Sequence, residues 1–298
     1  MLRLIFFILF FIKICQTYLF ATEIPIIVIA PSKTNQSYSS VGSSISLIDN
    51  EIIENSSELF LSDVLDNNLL GMNYFRQGGK GTVTGIQLRG LPKRYSTVYI
   101  DGVKMSDPST SDNSFYFSNI INNSIERVEV LRGTQSSIYG SGAIGGTINI
   151  FTKDGTKTNK NAFEISTGSN GLKNVNYSFG DDLEKLNYFI GINNLSTDGI
   201  SAMNDSSLSN DSDKYQNKGI IANFGYNLKD NLSIKNSLRY SDSQLNYDEV
   251  TAGRADENNK TDDKELTYNL RLIYEKDNLK NSLVYSYTDI ERATKTYT

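Results

Sequence analysis

From Ala162 onward, apolar and polar positions alternate with a period of two in seven separate stretches. Phe163, Ile165 and Thr167 alternate with Glu164 and Ser166, and Val175, Tyr177 and Phe179 with Asn176 and Ser178. Leu186, Tyr188, Ile190 and Ile192 mark the third stretch, and Ile220, Ala222, Phe224, Tyr226 and Leu228 the fourth. The fifth carries Leu232, Ile234, Leu238 and Tyr240 opposite Ser233, Lys235, Ser237 and Arg239. Leu266, Tyr268, Leu270, Leu272 and Tyr274 mark the sixth, and Leu283, Tyr285 and Tyr287 the seventh. Successive side chains of a strand leave opposite faces, so each stretch predicts a strand with one apolar, tyrosine-rich face and one polar face. Each is roughly ten residues long, which suits a tilted strand crossing a bilayer. A soluble antiparallel sheet shows the same alternation, so the connections decide. Asp181 to Glu184, Lys229-Asp230 and Lys276 to Asn278 are short; Thr197 to Asn217 and Asp242 to Lys264 are long and polar. Short turns at one end and long loops at the other predict a transmembrane barrel. Only the first connection, Gly168 to Gly171, is short on the loop side.

The part before Ala162 has a different texture. Ile45 to Ile48, Ile86 to Arg89 and Thr97 to Ile100 read as short strands, and Asp101-Gly102 as a tight turn. Ser57 is placed to cap a helix running to about Asp66, with Leu61, Val64 and Leu65 on one face. Gln77-Gly78-Gly79-Lys80-Gly81 and Asp107 to Asn113 are polar loops. Around Val128 and Val130 lies one strand and over Thr147 to Phe151 another, with Gly133, Gly140, Gly142, Gly145 and Gly146 between them. The order predicts a compact mixed α/β domain with Leu61, Val64, Val128, Val130 and Ile148 in its core.

Composition narrows the function. A net charge of −5 and a pI near 5.0 argue against a nucleic-acid partner. There is no histidine, no tryptophan and one cysteine, Cys15. The usual triads, zinc sites and thiol nucleophiles therefore cannot be built, no carboxylate pair stands out, and an enzyme is not expected. Gly140-Ser-Gly142-Ala-Ile-Gly145 matches a dinucleotide fingerprint, but it feeds a strand and offers no helix N-terminus. Gln77 to Gly81 lacks the spacing of a phosphate loop. Met1 to Ala21 has the basic start at Arg3, the apolar run Leu4 to Ile12 and the small terminal Ala21 of a secretory signal peptide. The run is shorter than the roughly 18 residues a membrane helix needs.

Several residues fall into the register of a known family. Arg89-Gly90, Tyr99-Ile100-Asp101-Gly102-Val103, Arg132-Gly133, Tyr139-Gly140 and Ala143-Ile144-Gly145-Gly146-Thr147-Ile148-Asn149-Ile150 resemble the plug domain of TonB-dependent outer-membrane receptors. Thr134 stands where that family usually has proline. The resemblance implies a signal peptide over 1–21, a TonB-binding segment and linker over 22–40, and a plug over 41–152. Residues 160–298 would then be the first strands of a transmembrane antiparallel barrel of roughly 22 strands, so the chain reads as a fragment of a mainly β protein. It implies residence in the outer membrane of a Gram-negative bacterium and contact with outer-membrane lipid. TonB, the periplasmic energy transducer, would pair with Pro25, Ile26, Ile27, Val28, Ile29 and Ala30. Substrate would meet Gln77, Gly78, Gly79, Lys80, Gly81, Asp107, Ser109, Asp112 and Asn113. Within the family the chain looks most like the cobalamin-importing receptors, with iron-chelate (siderophore) import as the alternative and a plug-free passive porin as the weaker rival. Asp211, Asp213, Asp242 and Asp248 resemble that branch's calcium loops, since oxygen ligands on loops suit calcium. No cofactor is required; calcium is the candidate ion.

Overall fold

The computed structural model describes residues 26–156, 161–201, 212–248 and 259–295. The predicted signal peptide, Pro25 and Asp211 lie outside the described residues. Two short strands come first, β1 (Ile27–Val28) and β2 (Gln36–Ser37), paired antiparallel. The domain behind them contains β3 (Ser44–Ile48), α1 (Asn50–Glu54), α2 (Leu61–Asn68), β4 (Met72–Arg76), β5 (Thr84–Leu88), β6 (Ser96–Ile100) and β7 (Val103–Met105). It closes with β8 (Ile125–Arg132), α3 (Ser136–Tyr139) and β9 (Gly146–Thr152). Its main sheet has the order β3-β8-β9-β6-β7, in which β6 and β9 run parallel. β4 and β5 form a separate hairpin.

The predicted core is the observed one. Leu61, Val64, Val128, Val130 and Ile148 are all fully buried, joined by Leu65, Leu88 and Ile150. The helix differs at its start. It begins at Leu61, not near Ser57, with Phe60 at the cap position and no side-chain cap. Phe60 is held extended by a bridge to Ile121, and the Leu61 N–H donates to the Ile120 carbonyl at 3.0 Å. Tertiary pairing thus overrides the local capping signal. A side-chain cap appears on α1, where Asp49 accepts from the Ile52 N–H at 3.1 Å. Asp101 and Gly102 both have positive φ, as a tight hairpin turn between β6 and β7 requires. Gly146 is obligatory where β9 begins: a Cβ there would sit 2.1 Å from the Leu131 carbonyl oxygen.

Seven further strands form one antiparallel sheet in chain order. They are β10 (Asn161–Thr167), β11 (Lys173–Asp182), β12 (Leu186–Thr197), β13 (Tyr215–Lys229), β14 (Leu232–Tyr247), β15 (Asn259–Lys276) and β16 (Leu279–Lys295). β15 reaches 18 residues, beyond the ten or so that the alternation predicts. Apolar alternation marks only the band that meets apolar solvent, whereas backbone pairing continues through the polar ends. Asp242, expected in a loop, is accordingly inside β14, paired with Lys218 and Lys264. Phe163, Ile165, Ile192, Tyr226 and Leu283 are exposed on one face. Asn174, Asn217, Asn223, Ser241, Glu265 and Asn269 are buried on the other, against the plug domain. No helix among the described residues is long and apolar enough to cross a membrane, a measure that does not bear on strands.

A domain of this size with its own apolar core can fold alone. Residues 41–152 should give a cooperative thermal transition by circular dichroism. Ile148→Ala, which empties a fully buried site, should lower its stability by about 2–4 kcal/mol. A broad, non-cooperative melt would count against that boundary.

Candidate functional site

At the short-turn end of the sheet, the first described residues are clamped to the plug domain through their backbone. Glu129 on β8 has no solvent exposure, and its Oε2 accepts from the Ile29 N–H at 2.9 Å and the Ala30 N–H at 2.7 Å. Arg127 Nε donates to Glu129 Oε1 at 2.9 Å and balances the charge. From the other side, the Tyr139 hydroxyl donates to the Ala30 carbonyl at 2.6 Å, and the Tyr99 hydroxyl donates to the Tyr139 carbonyl at 3.2 Å. Burial, then the Glu129 charge and Tyr99, push the Tyr139 hydroxyl far up its titration range, so it remains a donor. Val28 and Ala30 are buried, while Ile26 and Ile27 are exposed. A cavity of about 540 Å³ adjoins the clamp, lined by Ile29, Tyr99, Arg127, Lys235 and Arg271 among others.

The opposite end holds the two predicted loops. Gly81 lies directly against the Tyr215 ring of β13; a Cβ there would come within 2.0 Å of it. Lys80 pairs with Asp63 at 2.9 Å, and Arg76 reaches the same carboxylate at 2.9 Å. Burial raises the Asp63 pKa, but Lys80 and Arg76 outweigh it and hold the carboxyl below its ordinary value. In the second loop Asp107 Oδ1 accepts from the Ser109 N–H at 2.9 Å and hydroxyl at 2.6 Å, a local turn. Arg292 of β16 donates to Asp107 at 2.7 Å, to Ser109 Oγ at 3.0 Å and to Asp263 of β15 at 3.0 Å. Lys93 pairs with Asp112 at 2.8 Å and holds its carboxyl at about 2, with a further hydrogen bond from Ser114. The folded value is depressed, so this pair contributes above the ordinary carboxylate range and is lost only as pH falls through about 2.

The loop carboxylates are less well gathered. Asp213 is buried before β13, and its N–H donates to the Ile200 carbonyl at 3.2 Å. Asp248 follows β14 and accepts from Ser201 Oγ at 3.4 Å. Ser241 and Ser243 are buried on the inner face, so Asp242 between them belongs to the outer one. It does not converge with Asp213. Among the described residues, no group of three or more carboxylates or other ligating side chains is placed to share a metal ion.

Residues 37–147 match the TonB-dependent Receptor Plug Domain family. These residues form a TonB-dependent receptor plug domain. The chain is similar to a Vibrio vulnificus protein named "Vitamin B12 transporter BtuB", 29% identical over 279 residues, covering 92% of this chain and 44% of the relative. A Photobacterium profundum protein of the same name is 28% identical over 227 residues, covering 75% of this chain and 36% of its own. Among solved structures, the alcaligin outer-membrane receptor FauA of Bordetella pertussis gives a TM-score of 0.72 at 15% identity, over 90% of this chain and 42% of that one. The ferric yersiniabactin uptake receptor FyuA of Yersinia pestis gives 0.68 at 18% identity, over 86% and 42%. The chain thus spans less than half the length of the relatives it matches. The likeness to both structures carries the fold: a mixed plug sheet followed by part of an antiparallel barrel wall. TonB-dependent receptors are proteins of the Gram-negative outer membrane, and the apolar outer face of the wall suits that location.

The plug and wall use residues that the sequence reading passed over. Glu129 sits mid-strand between Val128 and Val130, and a charged residue inside an apolar strand was the available signal. Arg292, Asp263 and Asn223 gave none, because a polar residue on a two-faced strand looks like any other. Tyr139→Phe removes one hydrogen bond of the clamp, worth on the order of 1 kcal/mol. A spin label at Ile27→Cys should then show an undocked population raised about fivefold. An unchanged spectrum would refute the clamp.

Proposed function

We propose that this chain supplies the plug and the first barrel strands of a TonB-dependent outer-membrane transporter that imports cobalamin. The observation that carries this reading is the plug packed on the polar face of a sheet whose opposite face is apolar. The arrangement suits a wall with lipid outside and a polar, blocked lumen. Cobalamin is favoured over an iron chelate because both curated relatives described above are named vitamin B12 transporters; the siderophore-receptor structures share the fold alone.

In this mechanism substrate settles on the loops Gln77 to Gly81 and Asp107 to Asn113, and TonB pairs with the segment Pro25 to Ala30. β1 is only two residues long and holds β2 through a correspondingly short ladder. An incoming strand therefore has little to displace on that side. Force applied through TonB then draws on the plug. Calcium forms part of the proposal at the loop end through Asp211, Asp213 and Asp248. The Asn246 N–H donates to the Lys214 carbonyl at 2.8 Å, which brings the roots of the two long loops together. Asp242, on the outer face, has no part in it.

Proline lacks the N–H that strand pairing uses. In the full-length receptor, Ile27→Pro should cut cobalamin uptake by about tenfold or more while surface binding stays unchanged. Normal uptake by this variant would sink the TonB assignment. For calcium, the check is cobalamin affinity with calcium and with chelator. Calcium should tighten binding in the wild type and not in Asp211→Asn with Asp213→Asn; equal wild-type affinity in both conditions would reject the ion.

A further inference from the structure

At the loop end, the plug and the inner wall meet over a bed of paired charge. The cations are Arg76, Lys80, Lys93, Arg239 and Arg292, and the carboxylates are Asp63, Asp107, Asp112, Asp263 and Glu265. Every one of them is in an ion pair, at separations of 2.7 to 3.0 Å. Among the described residues, these five positive charges stand against five negative, so the paired set is neutral. Its central member is Asp107, whose side chain is only 3% exposed and which reaches Arg292, itself shared with Asp263. The residues that the two loops leave exposed have a different character. Gln77, Ser109, Ser111 and Asn113 are exposed neutral amides or hydroxyls, beside the exposed and equally uncharged Pro108.

We infer that this charge-compensated floor selects an electroneutral, amide-rich or hydroxyl-rich cargo and rejects anionic chelates, with Asp107 and Asp112 as the specificity-determining residues. The inference rests on the reading of the two loops as the substrate platform. An anionic ligand gains most from a cation that lacks a partner. Here it would meet Arg292 and Lys93 already occupied. To engage Arg292 it must displace Asp107, and a carboxylate that is almost wholly buried has no water to turn to. By holding the cations an anion would seek, the carboxylates act against the wrong ligand more than for the right one. A neutral ligand has no such barrier, because it needs only the exposed amide and hydroxyl groups of the loop tips.

The test uses full-length receptor with two probes, cyanocobalamin and the trianionic iron(III) complex of a tris-catecholate. Asp107→Asn with Asp112→Asn keeps the shapes and leaves Arg292 and Lys93 under-compensated. Wild type should bind cobalamin and bind the chelate about 100-fold more weakly. The double variant should gain about tenfold or more for the chelate, a gain that fades as salt is raised, so that the ratio of chelate to cobalamin affinity rises at least about tenfold. Asp112→Asn alone, at the more exposed pair, should show a smaller gain in the same direction and serves if the double variant misfolds. Wild type binding the chelate as tightly as cobalamin overturns the inference. So does a folded variant that binds cobalamin and shows no gain for the chelate, and this outcome leaves the transport reading standing. Wild type that binds neither probe overturns the transport reading and this inference together.

Discussion

A sheet that shows one face to lipid must keep its polar side chains on the other, and those side chains need partners. In this chain the plug provides them. The Asp101 turn is one place where that pairing is concentrated. Its carboxylate accepts from the Thr152 N–H at 2.9 Å, the Thr152 hydroxyl at 2.6 Å and the Ser237 hydroxyl at 3.1 Å. Its carbonyl accepts from Asn269 at 3.0 Å and Arg271 at 3.3 Å. Asn223 donates to Thr152 Oγ1 and to the Lys153 carbonyl, both at 2.7 Å. Three neighbouring wall strands thus converge on one plug turn and the end of β9. Desolvation pushes the Asp101 carboxyl up, against hydrogen bonds from Thr152 and Ser237 that favour the charged form. A buried acceptor left without these donors would be costly, so the plug's position and the wall's inner face are specified together.

The division into a mixed domain and a two-faced strand sheet was legible because it depends on periodicity, which single residues report directly. Each of the seven alternating stretches is a strand, and the predicted core residues are buried. Strand ends were not legible. Above the apolar band, residues such as Asp242 and Asn246 are polar on both faces, and only the backbone ladder shows that pairing continues there. β4, β7 and α1, each five residues or fewer, were missed as well. The start of α2 was misplaced because the Phe60–Ile121 bridge is a long-range contact that no local signal reports.

The site was legible in part. The N-terminal apolar run was read as a segment able to pair with another strand, and the structure shows it engaged within its own chain by β2, Glu129 and Tyr139. Sequence identifies what such a segment is able to do, since pairing capacity lies in the backbone and the apolar side chains. It does not report what already occupies that capacity. The same holds for the loops. Asp107, Asp112 and Lys80 were read as groups available to a ligand, yet each is spent on an internal ion pair. Charge in a loop signals exposure only when nothing opposite complements it; here Asp63 and Lys93, 17 and 19 residues away, complement Lys80 and Asp112, and Arg292 of β16, 185 residues away, complements Asp107.

The two ends of the plug hold their charges in the same manner and for different reasons. Glu129 is a buried carboxylate satisfied by one side chain and two backbone N–H groups, so its interactions depend on where the N-terminal segment lies. Asp107 is satisfied by Ser109 and by Arg292 of the wall, so its interactions depend on where the plug sits against β16. If the N-terminal segment leaves, Glu129 loses two donors but keeps Arg127 and gains access to the adjoining cavity, where water can replace them. If Asp107 leaves the wall, Arg292 keeps Asp263, whereas Asp107 retains only the donors of its own turn. The clamp can thus open while the Asp101 turn and the charged floor still hold the plug to the wall.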